Sequence, residues 1–463
     1  MPNIFETSTD ELANSRSLLF HGLERLNQYD PDLSRILSDE ARRQETTLSL
    51  VASYSSALPE VLVCVGDSIN NITTEGYPGK RFHAGCKYVD EIENLAIERA
   101  KIAFSADYAN VQPLSGSAAN LAVLFALLEP GDTIMGLSLD SGGHLTHGSP
   151  VSFSGQFYNG VTYHLDASGF FDYEAISAIA RKYMPKLIIC GASAYSRKIN
   201  FARFRVIADE VGAFLLADIS HIAGLVAAGL HENPINYAHV VTTSTYKQLY
   251  GPRGGLILSG KDSVKKLPNG LTIAQSINKA VFPGVQGTPQ PSAIAGKAAS
   301  FQFITTPVFK VIANKIITFA DQIANYFIDR DYHVISNGTD NHIVMIDTLN
   351  SIGMTGYIAE KAFEECGIIV NKNTIPSDLK SPFITSGIRL GTNDLALRNL
   401  TSENIDWLCQ LLKEILESIE VKGDKTYFVQ PNAIERYKKN IVEFCKKHPV
   451  CTYALERKNV ECV

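Results

Sequence analysis

The chain has 463 residues, of which 45% are hydrophobic and 19% are charged, as in ordinary globular proteins with a sizeable core. The formal net charge is −6 and no block of lysines and arginines occurs, which argues against nucleic-acid and anionic-membrane partners. No apolar run approaches the roughly 18 residues of a membrane-spanning helix, and the acidic first residues have no apolar segment of a secretory signal.

Eight cysteines are scattered along the chain and none of them forms a CxxC pair. A chain of this length needs no disulfide cross-links, so the pattern predicts reduced thiols and argues against a thiol metal site. We therefore expect a cytoplasmic protein without a metal ion.

The predicted elements begin with a polar helical arm, residues 1–50, in which Leu19, Leu23 and Leu26 share one helix face. From residue 51 to residue 300, short apolar runs alternate with helical stretches, which is typical of buried parallel strands in an α/β domain. The clearest of these predicted strands are Asp132–Gly136, Lys186–Gly191, Ala213–Asp218 and His239–Thr243.

The pattern changes after residue 300, and residues 301–463 predict a smaller C-terminal α+β domain. Its predicted elements, in chain order, are a helix at Val308–Arg330, a strand at His342–Ile346, a helix at Ala359–Cys366, a strand at Ile368–Val370, and helices at Glu403–Ile419 and Ala433–Lys447.

A lysine, Lys247, follows the last predicted strand of the large domain, in the run VVTTSTYK that precedes GPRGG. Ligands bind at the carboxyl ends of strands in such sheets. The hydroxyl and backbone N–H groups of this run can hold a phosphate, and a lysine held there can bond covalently to a carbonyl cofactor. A solvated surface lysine is the simpler interpretation of any single lysine.

A carboxylate, Asp218, ends another predicted strand in the run FLLADISHIAG. There it can pair with a protonated pyridine nitrogen and keep the ring electron-accepting, although lone aspartates at strand ends are more often helix caps. His221, three residues later, taken alone fits a structural role better than a catalytic one.

Two glycine-containing segments could contact a cofactor. Gly116 and Ser117, in SGSAANLA, open an apolar helix whose free N–H groups suit a phosphate, with simple N-capping as the alternative. In GGHLTHG, His144 could lie over an aromatic ring. His144 and His147 could instead bind a metal, but no third ligand is evident.

Two further segments carry charge beside glycine. Glu75, in EGYPGKR, is a candidate general acid or base, or else part of an exposed turn. Arg389, in the apolar run TSGIRLGT, needs an anionic partner. A substrate carboxylate fits by bidentate pairing, and an internal salt bridge is the alternative.

Taken together and in this order, these segments resemble the serine hydroxymethyltransferase family, from about Leu48 to Tyr453. The resemblance also rests on the stretches YANVQP, PKLIICGASAY, HIAGLVAAGL, GPRGGLIL, GTDNH and VNKN. It implies a fold-type I pyridoxal 5'-phosphate (PLP) enzyme with a large, mostly parallel sheet and a smaller α+β domain. It also implies tetrahydrofolate as co-substrate, and a homodimer or homotetramer with shared active sites.

The resemblance implies roles for individual residues. Glu75 matches the glutamate at the reacting hydroxymethyl group, and Ser53 and Arg389 match positions around the amino-acid carboxylate. Gly143, Leu145 and Asn373 match the folate pocket, and Arg253 a family arginine after the lysine. The cofactor-binding positions are Lys247 as the covalent lysine, Asp218 at the pyridinium, His144 over the ring, Gly116 and Ser117 at the phosphate, Ser193 and His221 near the phenolic oxygen, and Gly287 from a partner subunit.

The sequence departs from the family pattern close to the expected cofactor. Tyr54 stands where the family has glutamate, Tyr246 where it has histidine, and Thr288 where it has glycine. Thr73 and His83, both expected at the substrate, replace tyrosines. Loss of the ring at position 73 enlarges the expected pocket enough for an amino acid with a substituent on Cα, such as alanine.

Three hypotheses follow for the function. The first is a PLP-dependent hydroxymethyltransferase that moves a one-carbon unit between tetrahydrofolate and serine/glycine, or an α-substituted pair such as α-methylserine/alanine. The second is a folate-independent threonine aldolase or transaldolase, motivated by Tyr54 and His83. The third is a non-catalytic PLP-binding paralogue, an interpretation that the retention of four residues argues against: Lys247, Asp218, His144 and Arg389.

Overall fold

The computed structural model describes residues 21–450. Near its start, the helix Pro31–Thr46 is capped by Asp30, whose carboxylate accepts from the Leu33 N–H, and it buries no residue. Of the predicted apolar helix face, Leu23 is exposed and Leu19 lies outside the described residues.

A seven-stranded sheet forms the centre of the larger part of the chain. Six strands run in one direction and the strand Gly255–Ser259 runs against both of its neighbours. This confirms the α/β class with a large, mostly parallel sheet. In spatial order the strands are Tyr108–Asn110, Gly255–Ser259, Val240–Ser244, Phe214–Asp218, Leu187–Cys190, Thr133–Leu137 and Asn159–Tyr163.

The predicted strands of this sheet agree with the structure to within about one residue at most ends. Their central residues are fully buried because helices cover both faces. The edge strand Asn159–Tyr163, by contrast, is largely exposed and shows no continuous apolar run. The helices around the sheet include Lys87–Phe104, Gly116–Leu127, Tyr173–Tyr183, Phe201–Glu210, Ile273–Lys279 and Pro291–Phe303.

A second, four-stranded antiparallel sheet lies in the C-terminal part of the chain. Its strands, in spatial order, are His333–Val334, Ile343–Asp347, Gly387–Gly391 and Asn371–Asn373. The helices that accompany it are Gly356–Glu365, Ser402–Glu417 and Pro431–Lys447. Each predicted helix and strand of this region overlaps an observed one, and its apolar side chains form a separate cluster.

A long helix packs into both clusters, and the end of the N-terminal arm packs on one of them. The helix Pro307–Ile328 packs Phe309 and Ile312 into the large-sheet core, and packs Ile323 and Phe327 into the C-terminal core. The strand Leu48–Ser49 pairs in parallel with Ile368–Ile369, so the end of the arm packs on the C-terminal core. The domain limits at residues 50 and 300 stay predictions.

No single helix in the range 21–450 is long and apolar enough to cross a bilayer, although the bent pair Pro291–Phe303 and Pro307–Ile328 passes on length and composition alone. Both helices bury most of their apolar residues in the cores described above. In the same range, no three His, Cys, Asp or Glu side chains are grouped as metal ligands.

Candidate active site

A cavity of about 160 Å³ opens where the strands Phe214–Asp218 and Val240–Ser244 end. This is the edge at which α/β sheets bind ligands. Of the residues singled out from the sequence, those lining it are Gly116, Ser117, His144, Ser193, Asp218, His221, Tyr246, Lys247 and Arg253. The fold thus brings side chains from five separate sequence segments to one place.

Lys247 lies in the tight loop that follows the strand Val240–Ser244 and is 7% exposed. The Ser55 hydroxyl oxygen lies 2.5 Å from the Tyr246 carbonyl oxygen and 2.6 Å from the Lys247 carbonyl oxygen, and its single proton, shared between these acceptors, fixes the backbone of this loop. Burial lowers the pKa of the Lys247 amine to about 8. A far larger fraction of this amine is therefore neutral near pH 7 than of a surface lysine.

Asp218, the last residue of its strand, is buried and accepts several hydrogen bonds. Its donors are His147 Nε2 at 3.1 Å, Asn120 Nδ2 at 2.9 Å, and the Ser220 backbone N–H and hydroxyl at 3.0 and 2.6 Å. Burial alone would raise the pKa of this carboxyl, but its hydrogen bonds from His147 and Ser220 hold it well below the usual range. The side chain is thus a carboxylate at neutral pH.

Two of these donors, Asn120 and His147, were not assigned a role from the sequence. Asn120 lies one helical turn after Ser117, and the Thr242 hydroxyl donates to its side-chain oxygen (2.6 Å). His147 follows His144 by three residues, a spacing that the sequence left open to metal binding. The structure directs His147 at a carboxylate instead.

His144 is held in a defined orientation. The Thr146 backbone N–H donates to its Nδ1 at 3.2 Å, so the proton of the neutral ring is on Nε2. Burial lowers the pKa of His144 to about 4, and the charges of His147 and Lys247 act in the same direction against the attraction of Asp218. The ring is therefore neutral at physiological pH and can lie flat against an aromatic ligand.

The start of the helix Gly116–Leu127 forms the floor of the cavity. Ser115 caps it by accepting from the Ala118 N–H, and a Cβ at Gly116 would lie 3.4 Å from the Ser244 Cβ. The Ser244 hydroxyl is buried without a hydrogen-bond partner in the described part of the chain. Free helix N–H groups, a small residue and an unpaired hydroxyl together suit a phosphate.

Arg389 extends from the C-terminal sheet to Ser193, a residue of the cavity wall, without lining the cavity itself. Its Nε donates to Asn371 Oδ1 (3.1 Å), and one terminal nitrogen donates to the Ser193 carbonyl. Burial lowers its pKa to about 10. Among residues 21–450 no carboxylate lies within ion-pair distance of this guanidinium, so the internal salt bridge considered from the sequence is not formed there. A buried guanidinium of this kind can bind a ligand carboxylate.

His221 is stacked on His342, with ring centroids 5.6 Å apart and planes 19° apart. Burial, followed by the charges of Lys247 and Arg389, lowers the pKa of His221 well below its usual value. Burial likewise lowers the pKa of His342 to about 3. Both rings are neutral, so the pair adds no positive charge to the cavity.

Glu75, His83 and Gly287 lie together but do not line this cavity. Glu75 Oε2 is 3.5 Å from His83 Nε2, and a Cβ at Gly287 would lie 3.4 Å from Glu75 Oε1. The side chains of Glu75 and His83 are 39% and 44% exposed. Within one chain, Glu75 therefore forms a surface group separate from the cavity of Lys247.

The remaining predicted residues do not line the cavity either. Thr73 and Leu145 are exposed, and Ser53 and Asn373 are half-buried. Gly143 is packed so tightly that a Cβ there would lie 1.9 Å from the Leu137 carbonyl oxygen. Glycine is thus required at position 143 for packing, whatever else it contacts.

Comparisons with known proteins agree with this geometry. The family model described as serine hydroxymethyltransferase matches residues 26–412. A probable serine hydroxymethyltransferase of Mesomycoplasma hyopneumoniae (strain 232) is 47% identical over 407 residues, which cover 87% of this chain and 95% of that protein. The serine hydroxymethyltransferase of Dichelobacter nodosus is 45% identical over 436 residues, covering 93% and 99%. The chain belongs to the serine hydroxymethyltransferase family.

Proposed function

We propose that this protein is a PLP-dependent hydroxymethyltransferase that moves a one-carbon unit between an amino acid and tetrahydrofolate. The observation that carries the proposal is that three groups converge. They are the Lys247 amine with its lowered pKa, the ionised carboxylate of Asp218, and the Arg389 guanidinium, which pairs with no carboxylate of the described chain. Family membership over most of the chain supports the same activity.

The groups around the cavity fit PLP. The helix start at Gly116 and the unpaired Ser244 hydroxyl suit its phosphate, and the carboxylate of Asp218 suits a protonated pyridine nitrogen. We assign Lys247 as the covalent lysine and His144 as the ring that lies over the cofactor, since both side chains line the cavity.

Each residue then has a separate task. PLP, when bound, supplies an electron-accepting ring that eases bond breaking at the amino acid Cα. Asp218 keeps the proton on the pyridine nitrogen, and Arg389 holds the amino-acid carboxylate and so orients the bonds at Cα. Glu75 accepts or gives a proton at the hydroxymethyl oxygen.

For Glu75 to reach this cavity, we propose that a second copy of the chain supplies it, together with Gly287 at the phosphate. The exposure of the Glu75 and His83 side chains within one chain supports this assignment. Apolar side chains near them in sequence, among them Leu62, Val63 and Phe82, are also exposed, as expected of a surface that another subunit covers. The cytoplasmic location stays a prediction.

The experiment that tests the function compares purified holoenzyme on serine and on threonine, each with and without tetrahydrofolate. We expect glycine formation from serine to require tetrahydrofolate and to exceed cleavage of threonine. Folate-independent release of acetaldehyde from threonine as the faster reaction would favour an aldolase instead. Absence of turnover with either amino acid, despite bound PLP, would favour a non-catalytic protein.

From the lowered pKa of Lys247 we predict how the rate of PLP capture by the cofactor-stripped protein depends on pH. Only the neutral amine attacks the PLP aldehyde, so the rate of capture should rise with pH and level off above a midpoint near 8. Stopped-flow absorbance at a series of pH values measures this rate. A rate that continues to rise up to the ordinary lysine pKa would contradict the proposed environment of this amine.

From Thr73 we predict which amino-acid substrates the pocket accepts. We propose that the loss of a ring at this position leaves room for a substituent on Cα. Thr73→Tyr should then lower kcat/KM for α-methylserine about tenfold or more relative to serine, as expected when a pocket loses the volume of a methyl group. Asn71→Tyr, which adds the same ring at a nearby exposed position, is the control. A ratio unchanged in Thr73→Tyr would contradict the proposal.

A further inference from the structure

Lys297 is a buried lysine, 2% exposed, in the otherwise uncharged helix Pro291–Phe303. Its ammonium donates to three backbone carbonyls, those of Val111 (2.6 Å), Pro113 (3.0 Å) and Gly255 (2.9 Å). No carboxylate lies within ion-pair distance of it among residues 21–450. Burial lowers the pKa of this amine to about 7, but three carbonyl acceptors match the three N–H groups of the charged form. A buried ammonium bound only by carbonyl oxygens is costly to retain, so its position calls for a reason.

The three carbonyls belong to the two segments that form the cavity. Val111 and Pro113 lead directly into the start of the helix Gly116–Leu127, and Gly255 opens the strand that follows the loop of Lys247. These segments also touch directly, since the Gly255 N–H donates to the Pro113 carbonyl at 2.8 Å. Through its hydrogen bonds, the ammonium therefore links the segment that leads into the helix to the segment that follows the loop of Lys247.

The packing around the ammonium leaves little freedom. A Cβ at Gly254 would lie 2.4 Å from Lys297 Cε, and a Cβ at Gly255 would lie 2.2 Å from the Ser115 carbonyl oxygen. Glycine at position 254 allows the lysine loop to lie directly on the Lys297 side chain, and glycine at position 255 allows the next strand to begin against the residue that caps the helix. A shift of this side chain would thus be transmitted to the loop.

A polar network extends the connection to the segment of Glu75. Between Val111 and Pro113, the Gln112 side chain donates to Glu93 (2.8 Å) and to the Gly76 carbonyl (2.9 Å). Glu93 in turn accepts from Arg81 (2.6 Å), within the hairpin that follows Glu75. The segment that Lys297 holds therefore also stabilises that hairpin, through the side chain of Gln112.

We propose that Lys297 is a positioning residue, which fixes the phosphate-binding start of the helix Gly116–Leu127 relative to Lys247. The proposal rests on the PLP site assigned above. Borohydride reduction of the wild-type protein tests that site independently of Lys297. Lys297 does not line the cavity, and it acts on the cofactor through the two segments that do.

Lys297→Met tests the proposal because it keeps most of the side-chain length and removes the ammonium. We expect the Kd for PLP, from absorbance titration of the cofactor-stripped full-length protein, to rise about tenfold to a hundredfold, as expected for lost hydrogen bonds to a charged donor. Amino-acid affinity at saturating PLP should be unchanged. Lys297→Gln, which keeps two N–H donors, should lie between wild type and Lys297→Met.

Arg99→Met is the matched control. Arg99 donates to the Ala298 carbonyl (2.9 Å), beside Lys297, and lies away from the cavity. The Arg99→Met substitution should lower the Tm without changing the Kd for PLP. Wild-type affinity in both Lys297 variants would overturn the proposal, as would a loss of affinity that follows Tm equally in Lys297→Met and Arg99→Met. If Lys297→Met does not fold, the comparison of Lys297→Gln with Arg99→Met decides in the same way.

Discussion

Lys247→Arg should abolish covalent attachment of PLP and reduce hydroxymethyl transfer at least about a thousandfold, because removal of a covalent group costs this much or more. Arginine keeps the positive charge but cannot lose its proton at working pH, so it cannot act as the nucleophile. Burial has already made the Lys247 amine easier to deprotonate. The substitution therefore removes the ability to lose a proton, which the buried environment of Lys247 favours.

Borohydride reduction of the holoenzyme followed by peptide mass spectrometry measures the attachment directly. We expect PLP on the peptide that contains Lys247 in the wild-type protein and in Lys261→Arg, a control at an exposed lysine beyond the strand Gly255–Ser259. We expect no labelled lysine in Lys247→Arg. Label on another lysine of the wild-type protein would disprove the assignment of the site.

The segments of the site were visible in the sequence because each is local. A lysine after a run of hydroxyl residues, or an aspartate at the end of an apolar strand, can be recognised without knowing what lies opposite. The contacts of Asp218 with Asn120 and His147 could not be recognised, because they join residues 98 and 71 positions apart. Only the order of strands in the folded sheet brings these side chains together.

The same limit applies to the fold. The helix Pro307–Ile328 has one continuous apolar face, so its sequence does not reveal that Phe309 and Phe327 pack into different cores. Lys297 is the opposite case. Lysines ordinarily lie at the surface, and the structure buries this one because three carbonyl oxygens converge on its ammonium. Backbone acceptors leave no sign in the sequence.

Arg389→Lys should weaken binding of the amino acid about a hundredfold, because the bidentate hydrogen bonds of the buried guanidinium to the carboxylate are lost. Lysine keeps the charge but lacks the planar fork that binds both carboxylate oxygens. The geometry of the fork is already set, since Asn371 holds Nε and the Ser193 carbonyl accepts from a terminal nitrogen. Spectral titration of the holoenzyme with glycine measures the Kd.

Glycinamide, which lacks the carboxylate, separates this role from a general disturbance of the site. The wild-type protein should prefer glycine to glycinamide strongly, and this preference should be much smaller in Arg389→Lys, which keeps the charge but not the fork. An equal loss for the two ligands would mean that the change distorts the cavity. Since no carboxylate of the described chain pairs with Arg389, a substrate carboxylate is the anion that its buried charge lacks, and selectivity for that group is the property that the substitution should remove.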